Sequence, residues 1–468
     1  MLPAFASAAT IKVTTHADEL DAVPDAKCSV REAVQSANTN GAVGGCPAGS
    51  GQADTIELGK GHYSLTIPST NEDANVNGDL DVDGGKVVFR GKGDGVTDIN
   101  TNLADRIADT FNATPVTFED IQLFSGDVTS LGTGSGRGGD IRASEGGVVT
   151  LSRATVNHGE AYVGGGLYLN GPVGLPGKLK VTRSTFITNH STGLGGALDV
   201  VGDVTSKISK SRITENTVTD TTGSSEGGGV SNRGTKMTIS DTEFVENSAT
   251  GDDMQAAYGG AIHNADGSEL AVRRSLFEGN SASAPTAGYF EGGGAIFTIA
   301  NAAPVSITNT TFYGNSVGLP NGKGAAVYIS SGSVIVANAT FNANGTESLL
   351  EEANGYLLVR NSMLQGFDPC VGTSIDSGDY NVASFDDPEC DFQPEDVTSL
   401  STFGFKTGNP ETNGGETRTI ALKKSSPAID LIPKPFCDVT DREDQRGYKR
   451  PKRNCDSGAY ERKAKKPN

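Results

Sequence analysis

The stretch "NEDANVNGDLDVDGG", residues 71–85, sets carboxylates where they could act together. Asp79, Asp81 and Asp83 alternate with Leu80 and Val82, so a strand here would carry all three on one face, with Glu72 and Asp73 close by. Clustered hard oxygens suit Ca²⁺, which takes roughly six to eight such ligands, and like charges side by side repel without a cation. A solvated outer strand face would give the same alternation with no ion, and the spacing does not match an EF-hand loop. Further along, His263, Asp199 and Arg233 offer a base, a carboxylate and a cation, with Glu226, Arg273 and Arg274 nearby in sequence. Polysaccharide lyases need a base, and glycoside hydrolases need paired carboxylates. Nothing in the spacing separates these side chains from solvated charges, and no GxSxG, HExxH or Walker motif is present. The balance of the reading is against an enzyme.

The charge total narrows the partners. With 57 acidic and 38 basic residues the net charge is −19, which opposes nucleic acid and repels polyuronates. No run of 18 or more apolar residues occurs, so no membrane-spanning helix is expected. Ala6 and Ala8 form an A-x-A pattern, and residues 1–9 read as the remnant of a secretory signal. Six cysteines fall into three close pairs, Cys28 with Cys46, Cys370 with Cys390 and Cys437 with Cys455. None lies in a CxxC or Cys/His cluster. Local disulfides are the favoured pairing among roughly 15 possible connectivities, and they imply an oxidising compartment.

The elements that must position these groups come from a repeat. "GGGLYL" at Gly164 is echoed by "GGALDV" at Gly195, "GGGVSN" at Gly227, "GGAIHN" at Gly259, "GGAIFT" at Gly293 and "GAAVYI" at Gly324, with a weaker "GGDIRA" at Gly138. A closing phrase ends at Asn189, Asn216, Asn247, Asn280, Asn315 and Asn344, and the period is roughly 30 residues. The chain holds 62 Gly and no Trp and shows no apolar stripe at helical spacing, so helical solenoids fail. The pattern predicts an all-β fold, a right-handed parallel β-helix. Leu167, Leu198, Val230, Ile262, Ile296 and Val327 would stack inward, as would Phe186, Ile213, Phe244, Phe277, Phe312 and Phe341. The recurrent Asn would tolerate a left-handed backbone and link its amide to the copies above and below. The next residue along, Arg142, Tyr168, Asp199, Ser231, His263, Phe297 and Tyr328, would form an outward ladder. Tyr168, Asp199, His263, Phe297 and Tyr328 could then line a track for an extended glycan, or simply decorate the surface.

Ser29 and Glu32 form a capping box, and Val30, Ala33, Val34 and Ala37 share one helical face, which predicts a short N-terminal capping helix within 28–46. The β-helix is expected over 10–353 and a disulfide-bearing C-terminal cap over 354–468.

"CSVREAVQSAN", followed by "ADTIELGKGHYSLTI" and "NGDLDVDGGKVVFRGKG", resembles the CSLREA motif. "NGGETRTIALKKSSPAIDLI", "DQRGYKRP" and "CDSGAYE" resemble the choice-of-anchor Q region, and the repeats are similar to those of polymorphic outer-membrane proteins. The resemblance implies a secreted or surface-displayed right-handed β-helix and carries no catalytic residues with it. The resulting expectation is a secreted or cell-surface β-helical protein for adhesion, matrix or glycan contact, without catalysis. A polysaccharide lyase or glycoside hydrolase on the same scaffold is the alternative, and a structural rod or filament subunit is another. Calcium is the one cofactor expected, and a surface or extracellular polysaccharide the expected partner.

Overall fold

In the computed structural model the described residues are 8–21, 25–68, 73–220, 223–252, 255–284, 290–318, 322–345, 348–437 and 442–466. The chain is nearly all β, a parallel β-solenoid of about 9 turns, and it divides into two compact units, 1–207 and 208–468.

In the first unit, short strands stack in parallel register. Leu80–Val82 pairs with Ala108–Thr110, which pairs with Ile141–Ala143, which pairs with Leu167–Gly171. Leu80, Ala108, Ile141 and Leu167 point into a closed apolar interior. The expected helix spans Val30–Thr39, with Ser29 and Glu32 capping each other as a box. Its face of Val30, Ala33, Val34 and Ala37 is buried, and Cys28–Cys46 ties its start. Arg31 is buried as well. It pairs with Asp18 at 2.7 Å and donates to the carbonyls of Gly78 and Asp79 at 2.6 and 2.8 Å. Asn38 donates to the Asp81 carbonyl at 2.7 Å. The helix thus fixes the backbone on either side of Leu80.

In the second unit the repeat is more regular. Phe244, Phe277, Phe312 and Phe341 stack with centroids 4.8, 4.9 and 4.8 Å apart and rings nearly parallel, the offset expected from one strand spacing per turn. The asparagines form the expected chain: each Nδ2 of Asn216, Asn247, Asn280 and Asn315 donates to the Oδ1 of the next at 2.9 Å. The left-handed residue is not the Asn but the one before it, with φ of 56° at Glu215, 55° at Glu246, 63° at Gly279 and 53° at Ala343. That turn leaves the Asn itself pointing inward, where its amide can be shared between turns. The glycine pair has two separate reasons. Gly259 sits at φ 64°, and a Cβ on Gly260 would lie 2.3 Å from the Gly294 carbonyl oxygen.

Parallel rungs continue past residue 354, through Gly355–Arg360, Met363–Leu364, Cys370–Val371 and Ile375–Ser377 to Val382–Ala383. The remainder runs along the flank of the second unit. Gln445 accepts from Thr311 at 2.6 Å, Arg450 donates to Asn309 at 3.1 Å, and Arg418 pairs with Glu243 at 3.0 Å. Arg446 lies over the Tyr460 ring at 3.9 Å. Cys370–Cys390 and Cys437–Cys455 are both formed, and all six cysteines are paired as expected. Among the described residues no helix is long and apolar enough to cross a membrane.

Candidate functional site

The position after the inward aliphatic residue generates a site in each unit. In the first unit that position is Asp81, Asp109, Arg142 and Tyr168, in register. Asp109 is wholly buried and its Oδ2 contacts the Arg142 guanidinium. Arg106 Nη1 reaches Asp79 at 3.2 Å, Asp109 at 3.5 Å and Asp105 at 3.8 Å. Arg142 also lies 3.6 Å from Asp73. Asp81 is buried and accepts from the Asn75 backbone at 2.7 Å. Beside them lies a pocket of about 190 Å³ lined by Asp73, Asp79, Asp105, Arg106, Leu131, Ser135 and Arg142.

Burial dominates the electrostatics here. It pushes the Asp79 carboxyl up to about 7, opposed by the Arg106 charge and assisted by Asp105 and Asp109. Burial also raises Asp109, against the pull of Arg106 and Arg142. The pocket therefore presents a carboxyl that holds a proton near neutrality beside two guanidinium groups.

This arrangement corrects the expected acidic face. Asp79 and Asp81 are not on an exposed surface but under it. Asp83 is exposed and apart, its carboxylate accepting from Asn112 at 2.9 Å. The strand is only Leu80–Val82 long, so the alternation that would align Asp83 with the others ends before it. Asp73 does join the cluster, and Glu72 lies outside the described residues. Asp105, Arg106 and Asp109 went unnoticed in the sequence. The available signal was the phase of the repeat, since Leu80-Asp81 and Ala108-Asp109 continue Ile141-Arg142 upstream, where no glycine pair marks the turn.

In the second unit the same position is Ser231, His263, Phe297 and Tyr328. The expected open ladder is here a buried one, and Tyr168 and Asp199 of the first unit are buried too. The rings are covered by one another and by the neighbouring segments. Tyr258 lies 4.6 Å from Phe297 and 6.0 Å from His263, Phe290 lies 4.9 Å from Tyr328, and Phe297 stacks on Tyr328 at 5.2 Å. Burial, then the charges of Glu351 and Glu352, pushes the Tyr328 hydroxyl up to about 12. The stacking faces assigned to a glycan are thus occupied by protein. His263 Nδ1 sits 3.0 Å from Glu226 Oε2. Arg233 is half-buried and its charge reaches Glu226. Of the expected catalytic candidates, His263 and Arg233 therefore gather around Glu226, and Asp199 belongs to the other unit.

Comparison with protein-family models, with curated proteins and with solved structures finds no match to this chain. The likeness to CSLREA and choice-of-anchor Q sequences rests on the quoted motifs alone.

Proposed function

We propose that this protein is a secreted or cell-surface β-solenoid that contacts extracellular polysaccharide without cleaving it, and that the pocket of the first unit is where a sugar unit docks. The observation that carries this reading is the convergence of Asp73, Asp79, Asp105, Arg106 and Arg142 on one small concavity. Sugar hydroxyls both donate and accept; carboxylates accept from their O–H groups and guanidinium N–H groups donate to their oxygens. Ion pairs hold Arg106, and strand register with ion pairs holds Arg142, before any ligand arrives, which lowers the ordering cost of binding. At about 190 Å³ the pocket suits one ring rather than a chain. Useful attachment would come from many copies on a crowded surface. Three disulfides accord with an oxidising, extracytoplasmic setting.

A second reading is favoured by one observation: a carboxyl titrating at about 7, as Asp79 does, is the proton donor that glycoside hydrolysis requires. Calorimetric titration of the full chain with neutral oligosaccharides, alongside an assay for new reducing ends, separates the two. Weak binding lost in Arg142→Ala, with no product, supports the binding protein. Sustained turnover abolished by Asp79→Asn replaces it with a hydrolase, and binding unchanged in Arg142→Ala moves the docking site elsewhere.

A further inference from the structure

Beside the pocket, the carboxylates outnumber the cations that hold them. Asp73, Asp79, Asp105 and Asp109 share the two guanidinium groups of Arg106 and Arg142, with Asp81 beside them. One oxygen from each of Asp73, Asp81 and Asp109 lies within 4.8 Å of the other two, and among the described residues no other group of His, Cys, Asp and Glu side chains converges so closely. Two oxygens on opposite sides of one Ca²⁺, at roughly 2.3–2.6 Å each, are separated by about that distance. A second observation is independent of this count. Asp109 is wholly buried, and while its Oδ2 meets Arg142, its Oδ1 has no hydrogen-bond partner. A buried carboxylate oxygen without a donor costs about 1–3 kcal/mol or more, and a cation is the partner that would remove the penalty.

We propose that Asp73, Asp81 and Asp109 bind a calcium ion that draws the segment around Asp73 onto the strands Leu80–Val82 and Ala108–Thr110. The chemistry selects a hard cation, because all three donors are carboxylate oxygens and no sulfur or imidazole joins them. Calcium rather than magnesium suits donors from two strands and one exposed segment, since magnesium demands near-octahedral geometry. The side chain of Asp73 is 66% exposed, so it can swing toward the ion, and solvent can complete the shell. Asp81 and Asp109 stand on adjacent strands in register and cannot move apart. This site does not depend on the glycan reading, and its test uses the metal alone.

The full chain, freed of metal with chelator, is titrated with calcium chloride by calorimetry and followed by thermal unfolding. One calcium per chain should bind, and the melting temperature should rise with calcium concentration as mass action requires. Asp73→Asn and Asp81→Asn should each weaken calcium affinity by about tenfold or more. Asp83→Asn, whose side chain lies apart from the cluster, should leave it unchanged. Because Asp73 is mostly exposed, its variant should fold as the wild type does, and an unaltered metal-free melting curve would verify this. Absence of calcium binding overturns the proposal. So does binding that survives both Asp73→Asn and Asp81→Asn, or a response to magnesium equal to that for calcium.

Discussion

The two units use the same position of the repeat in opposite ways. In the first, the residue following the inward aliphatic one is Asp81, Asp109, Arg142, Tyr168 or Asp199, four of them charged; in the second it is Ser231, His263, Phe297 or Tyr328. Both sets are largely buried. Aromatic side chains fill the space under the covering segments and pack against Tyr258 and Phe290. Charged side chains, drawn together in pairs, leave a pocket of about 190 Å³ and a carboxyl titrating at about 7. The ladder of backbone hydrogen bonds is indifferent to this choice, because the side chains at this position stand outside the interior that the aliphatic residues close. Site and scaffold are therefore separable here. A turn that carries charge instead of rings leaves a pocket where the rings would fill the space.

The largest expected contrast comes from deleting the cation at the centre of the charged set. Arg106→Ala leaves Asp79, Asp105 and Asp109 buried without their shared partner, and should cost about 3–5 kcal/mol at pH 8 in urea unfolding. At pH 5 the cost should be clearly smaller, because protons replace the lost guanidinium. The wild type already leans this way. Asp79 has a folded value near 7 against an ordinary 3.8, so its contribution favours the folded state fully below about pH 4 and is lost as pH rises through 7. Phe297→Leu in the ring-filled unit should cost less, about 1–2 kcal/mol, and should cost the same at both pH values. Equal pH dependence for the two variants would remove the distinction between a charged and a filled position.

How much of this was legible in the sequence follows from what each feature depends on. The stacked Phe column, the Asn chain, the capping box and the three disulfides are set by residue identity at a fixed period, and all were readable. Which side chains see solvent was not. Exposure of His263, Phe297 and Tyr328 depends on what covers them, and the covering residues Tyr258 and Phe290 lie in the variable part of the repeat. The same gap hid the pocket. Asp79, Asp81 and Asp73 drew notice as a run, but their partners Arg106, Asp109 and Arg142 come from later turns, brought in by register rather than by nearness in the chain. The flanking course of residues 403–461 was likewise invisible, since its anchors, Arg418 to Glu243 and Gln445 to Thr311, pair positions far apart.

The finest test of the comparison is the contact between His263 and Glu226 inside the aromatic set. Burial alone would raise the Glu226 carboxyl, but its contact with His263 and the charges of His263 and Arg233 outweigh that and hold it below its ordinary value. A carboxylate lowered in this way stabilises the folded state above its unfolded value, about 4.3 for Glu, and loses that contribution as pH falls through the folded value. Glu226→Gln keeps the shape and removes the charge, so it should cost about 0.5–1 kcal/mol near pH 6 and nothing measurable near pH 3. That sign is the reverse of the one for Asp79, where burial prevails over Arg106. Paired urea titrations of wild type and Glu226→Gln at the two pH values measure it directly. A cost that grows on acidification would mean that burial, not His263, governs Glu226, and the aromatic set would then behave electrostatically like the charged one.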